Sequence, residues 1–213
     1  DSCTLLSGVM DKVTHAADRS IYLYIFADNR YGTFSTNRLD IQDLEKFIIQ
    51  SITMVKMLGE DACRSLPAAE RTAKDALTGK ELGLYDARYE ESDSDSRLAR
   101  AKSMSMFAEA KGDGYEIISE ECDYSESCDD NFVADSQGFE GRHTETCFSV
   151  FTEMTIQDAE GSKYSGFWWE SSFDKDGIDL KGCPAKALER AARQIGPKKR
   201  RSGHYKMVVD TTV

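Results

Sequence analysis

The 213 residues carry 27 Lys and Arg against 38 Asp and Glu, a formal net charge of -11, and 40% of them are hydrophobic. That apolar share supports one large domain or two small ones and argues against disorder, while the negative charge repels a phosphate backbone and argues against direct nucleic-acid binding. No apolar run reaches the roughly 18 residues of a membrane span, and no basic segment followed by an apolar one opens the chain, so a soluble protein is expected.

Residues 21–26 form an unbroken β-branched and aromatic run that leads into Asp28, Asn29 and Gly32, the chemistry of a strand entering a tight turn. A return strand is predicted over 33–36, with Gly32 supplying the positive φ of the hairpin. From Asp40 the period changes. Ile41, Leu44, Ile48, Ile52 and Val55 recur at three- and four-residue steps, which predicts a helix with these on its buried face. Asn37 or Asp40 would cap it and Gly59 would end it. Residues 67–89 lack periodicity and read as a surface connection. The acidic stretch 90–95 predicts a second helix start, with Leu98, Ala101, Met104 or Ser105, and Ala108 on its buried side as far as Lys111, and Gly112 and Gly114 stopping it.

Beyond that point the chain reads as β. Residues 115–121 suit one strand, and 135–138 are a turn signal before the clearest alternation in the sequence: Thr144, Thr146, Phe148, Val150, Thr152, Met154 and Ile156 at every second position. A turn at 158–161 leads into 163–170, where Tyr164, Phe167, Trp168 and Trp169 gather, so a meander of at least three strands is predicted. Trp168 and Trp169 must face opposite sides of such a strand; one ring fills core, and the other is a possible contact for a peptide or partner unless a helix covers it. A last helix has Pro184 near its first position, Ala187, Leu188, Ala191, Ala192 and Ile195 as its apolar face, and Gly196 and Pro197 as its end. A basic loop, 198–203, precedes a final valine-rich strand at 205–209.

Helices and strands do not alternate, so the class is α+β: an antiparallel or mixed sheet with about three to four helices packed on it. Residues 1–196 are expected to form one amino-terminal α+β domain, incomplete at its start because Asp1 is not an initiator methionine. Residues 197–213 are expected to be a linker and the first strand of a further domain, since a strand at 205–209 needs partners.

Catalytic chemistry has little local support. His15, His143 and His204 are far apart and none sits in an H-E-x-x-H pair, so no metal site and no catalytic residue are assigned within the chain. No G-x-S-x-G elbow, phosphate-binding loop or G-x-G-x-x-G is present. The six cysteines, Cys3, Cys63, Cys122, Cys128, Cys147 and Cys183, show no repeated short spacing and read as reduced thiols of a cytoplasmic protein. Glu120, Glu121, Asp123, Glu126, Asp129 and Asp130 lack the order of a calcium loop and read as a solvated acidic loop. The tetrad 198–201 reads as a basic loop after a helix carboxyl end rather than a nucleic-acid patch, because no aromatic residues are interleaved.

The order of elements resembles the amino-terminal half of the TldD/PmbA family, the peptide-processing proteases also called modulators of DNA gyrase. The segment 26–39 carries the most specific match, with Arg30, Gly32, Ser35, Thr36 and Asn37 falling on the family's strand, Asp-x-Arg-x-Gly turn and Ser-Thr-Asn before a helix. The segments 131–150 and 183–209 are similar to its turn followed by a Thr-alternating strand and to its helix, basic loop and valine-rich strand. These residues carry a purely structural reading as well, so the match bears on membership rather than catalysis.

The resemblance implies a two-subunit bacterial protease that encloses a cavity and cleaves extended peptides. In its TldD type a zinc-binding His-Glu-x-x-x-His helix follows the valine-rich strand. The loop with Gly196, Pro197, Lys198 and Lys199, then Ser202, Gly203 and Tyr205, is more similar to the PmbA (TldE) type, which lacks that motif and partners the catalytic subunit. The chain is accordingly read as part of a non-catalytic PmbA/TldE-type subunit. It carries no cofactor of its own; zinc lies in a TldD-type partner or beyond residue 213. Its partners are that subunit or a second copy, giving a dimer, together with an extended peptide and neither nucleic acid nor membrane. Two alternatives stand beside it: a fragment of a catalytic TldD-type metalloprotease, and a non-enzymatic modulator of gyrase or an antitoxin.

Overall fold

The computed structural model describes residues 1–73, 78–108, 111–112 and 114–209. The chain opens with a hairpin of β1 (Ser2–Leu6) and β2 (Val9–Thr14), turned by Ser7 and Gly8, both at positive φ. A second hairpin, β3 (Ile21–Ala27) and β4 (Arg30–Thr36), forms a separate two-stranded sheet. Its turn is the two-residue kind in which Asp28 (φ 51°) and Asn29 (φ 57°) both take left-handed backbone, the twist that matches paired strands. The positive φ therefore belongs to Asp28 and Asn29 rather than to Gly32.

Gly32 serves packing instead. It is buried in β4, and a Cβ there would stand 2.8 Å from Val55 Cγ2 on the helix α1 (Ile41–Val55) that covers the hairpin. Asp40 caps α1, its carboxylate accepting from the backbone N–H of Gln42 (2.9 Å) and Asp43 (3.4 Å). The Asp40→Ala variant is expected to lose about 1 kcal/mol of stability in thermal or denaturant unfolding. The helix stops at Val55, before Gly59. Its inward side is Leu44, Phe47, Ser51 and Val55, and Ile41 is 74% exposed with Ile48 and Ile52 also outside. A two-stranded hairpin is too narrow to cover the whole predicted apolar stripe.

The large sheet is antiparallel throughout, in the order β2-β1-β6-β7-β8, with the short β5 (Lys111–Gly112) on β6. Its frame is a hairpin of β6 (Tyr115–Ala134) and β7 (Glu140–Asp158), registered from Tyr115↔Asp158 to Ala134↔Glu140. At the usual strand rise, 20 residues reach about 60 Å. β8 (Lys163–Ser172) completes the meander. The alternation predicted for β7 is observed in full: Thr144, Thr146, Phe148, Val150, Thr152, Met154 and Ile156 are all buried.

Two helices cover one face of this sheet. α2 (Ser94–Met104) begins at a capping box in which the Asp93 carboxylate accepts from Ser96 N–H (2.8 Å) and the Asp93 N–H donates to Ser96 Oγ (3.1 Å). It ends at Met104, short of Lys111, because buried Glu120 captures the next groups: Ser105 Oγ and the Met106 N–H (2.7 Å) both donate to it. Residues 109, 110 and 113 of the predicted helix end lie outside the described residues. α3 (Gly182–Ala192) packs on β7 and β8 through Cys183, Ala187 and Ala191. Gly196 (φ 75°) follows it as predicted. The core joins Cys3, Leu5, Ala101, Met104, Cys122, Tyr124, Phe148, Val150 and Cys183.

Two further expectations are corrected. The acidic residues 120–130 are strand rather than solvated loop: alternate positions Glu120, Cys122, Tyr124 and Glu126 point into the core, and burial fades beyond them, with Cys128 half-buried and Asp130 exposed. Residues 205–209 form no strand; no strand lies beside them among the described residues, and Val208 is 96% exposed.

Candidate functional site

The densest polar constellation centres on Glu126, whose side chain is fully buried between β6 and α2. Oε1 accepts from Tyr124 OH (2.7 Å) and Ser92 Oγ (3.1 Å), with Lys175 Nζ at 3.4 Å. Oε2 accepts from Arg97 Nε (3.0 Å), and Arg97 also reaches Asp1 Oδ2 (3.0 Å) and the Ser92 carbonyl (3.0 Å). Burial opposes the charge and is the largest single influence on this carboxyl. The Tyr124 and Ser92 hydrogen bonds, with Lys175 and Arg97, together outweigh it and hold the carboxyl below the usual range. The charge is therefore spent on holding β6, α2 and the loop after β8 together.

That loop is held from a second side. Asp86 receives Arg88 at both oxygens (2.7–3.1 Å) and the backbone N–H of Lys175 (2.9 Å), while the same guanidinium reaches Asp174 (3.1 Å) and Asp176. The bidentate Arg88 hydrogen bonds lead the influences that hold the Asp86 carboxyl well below the usual range, against burial. Arg100 donates to the Lys175 carbonyl (2.6 Å) and lies 5.2 Å over the Tyr124 ring. Lys175 thus stands between two acidic anchors.

Nucleophile and metal chemistry find no comparable assembly. Burial pushes the Cys122 thiol up to about 12 and the Cys183 thiol up to about 11, so both are neutral core groups beside Thr152. The six cysteines form no disulfide. His15 pairs with Asp1, His143 with Glu145 (3.0 Å), and His204 is exposed. Among the described residues, no three His, Cys, Asp or Glu side chains converge as a metal-ligand set. A cleft of about 360 Å³ lies between Ala69, Thr72 and Ala73 and the β6–β7 connection at Gln137–Glu140, and among the described residues its one ionisable side chain is Glu140.

The sequence profile of the PmbA/TldA metallopeptidase central domain matches residues 88–195, the span that contains α2, β6, β7, β8 and α3. The chain belongs to the TldD/PmbA family. Its structure is similar to that of a candidate modulator of DNA gyrase from Bacteroides thetaiotaomicron, with 34% identity, a TM-score of 0.84, and coverage of 95% of this chain and 45% of that one. A candidate modulator of a DNA gyrase from Thermotoga maritima shares the fold at 18% identity and a TM-score of 0.69, covering 95% of this chain and 44% of that one. TldE from Thermococcus kodakarensis shares it at 12% identity and a TM-score of 0.64, covering 90% and 41%. The chain therefore spans less than half the length of these solved relatives. Among curated protein sequences it has no significant match.

The residues that carry the TldD/PmbA motif in the hairpin have structural partners. Arg30 donates to the carbonyls of Leu58 (2.8 Å) and Asp28 (2.9 Å) and to Glu60 (3.0 Å), tying the segment after α1 to the β3–β4 turn. Gly32 admits α1, and Thr36 Oγ1 accepts from the Arg38 N–H (3.1 Å). Ser35 and Asn37 are exposed, and Asp40 rather than Asn37 is the cap.

The two tryptophans do face opposite ways. Trp168 turns toward α3, with Lys186 at 4.9 Å and Arg190 at 4.5 Å from its ring centre and its Nε1 donating to Glu170 (3.2 Å). Trp169 is 50% exposed on the other face, directly across from Phe151. Within the 144–170 meander β7 is paired on both sides over 148–157, so the open edge there is that of β8; over 144–147 β7 has only β6 as a strand partner, and the Thr146 N–H donates to the Leu84 carbonyl (2.9 Å). The Glu126 network escaped sequence reading, yet one signal pointed to it: Cys122, Tyr124, Glu126 and Cys128 keep a period of two in step with β7.

Proposed function

We propose that the chain is the scaffolding part of a non-catalytic PmbA/TldE-type subunit in a zinc-dependent, peptide-processing protease of the cytoplasm. The match of the metallopeptidase central domain to residues 88–195 carries this reading. Two features support the scaffolding role: Glu120 and Glu126 are committed to internal hydrogen bonds and ion pairs, and the loop with Gly196, Pro197, Lys198 and Lys199 resembles the PmbA type. Zinc and hydrolysis then belong to a TldD-type partner. The free edge of β8 offers unpaired backbone groups to an extended peptide, the recognition mode that needs no catalytic side chain.

The test is reconstitution. The full-length protein purified alone is expected to bind no stoichiometric zinc and cleave no extended peptide, and mixing with a TldD-type subunit is expected to produce both in the complex. One zinc per chain together with cleavage by the protein alone would assign it to the catalytic type instead. A role at gyrase, suggested by the description of the Bacteroides relative, would run through protein contacts, since a net charge of -11 opposes DNA.

A further inference from the structure

The open edge of β8 adjoins an ordered row of side chains on the sheet face opposite α2 and α3. Cross-strand register places Phe167 of β8 directly across from Glu153 of β7, and Glu153 directly across from Glu121 of β6. Inward-facing Cys122, Thr152 and Gly166 alternate with them, so all three side chains lie on the outer face, where all three are exposed. The ring belongs to a wider aromatic platform: Phe167 stacks on Phe151 (6.3 Å between ring centres), and Trp169 lies across from Phe151 in the next row.

Two carboxylates in direct opposition destabilise a sheet unless a cation meets them. Neither Glu121 nor Glu153 has a side-chain hydrogen bond or ion pair among the described residues. By register Lys12 is three strands from Glu153, on β2, and Lys163 lies across from Gln157, four residues along β7 from Glu153. The row therefore ends in acids that no described cation of the chain reaches.

A strand added at the edge of β8 extends the same row. Its residue opposite Phe167 stands about 10 Å from Glu153, two strand spacings. The stem of a Lys or Arg crosses that gap by lying over the exposed Phe167 ring, where the cationic end gains from the aromatic face and meets the carboxylate beyond it. Shorter side chains stop at the ring. We propose that Phe167 and Glu153, reinforced by Glu121, form a subsite that selects Lys or Arg at one position of an extended peptide paired with β8. The inference rests on the reading of the β8 edge as a peptide site and adds side-chain selectivity to it; its readout involves neither zinc nor cleavage.

The experiment is fluorescence anisotropy of dye-labelled, end-blocked Thr–Gln peptides with the full-length protein. Each peptide carries one central guest: Arg, Lys, Glu, or citrulline, which has nearly the shape of Arg without its charge. Arg and Lys guests are expected to bind about tenfold more tightly than citrulline at low salt, as one exposed ion pair and one cation–aromatic contact allow, and the advantage is expected to shrink as salt rises. E153Q is expected to remove that advantage with the citrulline affinity unchanged, and E153K to transfer it to the Glu guest. N-methylation of the peptide backbone is expected to abolish binding of every guest, because the edge pairs through the main chain. Equal affinity for Arg and citrulline, or an Arg preference kept in E153Q, overturns the selectivity and leaves the edge reading in place. Absence of binding by any guest, or binding that survives N-methylation, overturns the edge reading and the selectivity with it. A neutral oligosaccharide that displaces every guest equally would assign the aromatic platform to a sugar and likewise overturn the proposal.

Discussion

Glu126→Ala is expected to destabilise the protein by about 3–5 kcal/mol, the usual consequence of removing one member of a buried ion pair and leaving the other charge unpaired. Lys175, at 3.4 Å from the carboxylate, would lose its counter-ion, while Arg97, at 3.0 Å, would keep Asp1. Denaturant unfolding measures the loss. A double-mutant cycle identifies its origin: E126L combined with K175M is expected to be more stable than E126L alone, because the stranded cation is gone. Equal stability of the two would show that Lys175 is not the group left unsatisfied.

The same site sets an acid limb. Because the folded carboxyl of Glu126 lies below its unfolded value, its contribution is complete above the ordinary glutamate range, about pH 4.3, and is lost as pH falls through the folded value. Asp86 acts in the same direction through Arg88. Stability followed from neutral to acid pH should therefore fall in that window, and E126Q should flatten part of the slope. An unchanged slope in E126Q would remove Glu126 from the account.

Gly166→Ala is expected to cost about 3 kcal/mol, at the upper end of overpacking, and to loosen α3 from the sheet. A Cβ at this position would stand 2.4 Å from the backbone nitrogen of Ala191 and 2.5 Å from the carbonyl oxygen of Ala187. Helix backbone cannot swing aside as a side-chain end can, so the helix must move bodily. Trp168 reports the movement because Lys186 and Arg190 of α3 lie over its ring. A red-shifted emission with a lower melting temperature is expected; wild-type values for both would show that α3 can shift without loss.

The β7 strand, the β3–β4 hairpin and the α3 helix were legible because each pairs a strong period with its own turn or cap chemistry. The register of β7 was readable to the residue: all seven predicted inward positions are buried. The β1–β2 hairpin was passed over, since Asp11 and Lys12 interrupt its apolar pattern and its pairing with β6 is made across more than a hundred residues. The helix expected to reach Lys111 stops at Met104 for a similar reason, as its terminating carboxylate, Glu120, arrives from a strand.

Local pattern alone therefore determined an α+β chain, the turns that join β3 to β4, β6 to β7 and β7 to β8, and which face of β7 is buried, because hydrophobic period and backbone conformational preference act over a few residues. Tertiary structure decided where the acids lie. Residues 120–130 have the composition of a solvated loop, and a carboxylate is tolerated in the core only when cations and donors from distant segments meet it. For Glu126 those are Arg97 on α2, Lys175 in the loop after β8, and the hydroxyls of Ser92 and Tyr124. No local pattern encodes that meeting, since the stabilisation exists only once the segments have come together.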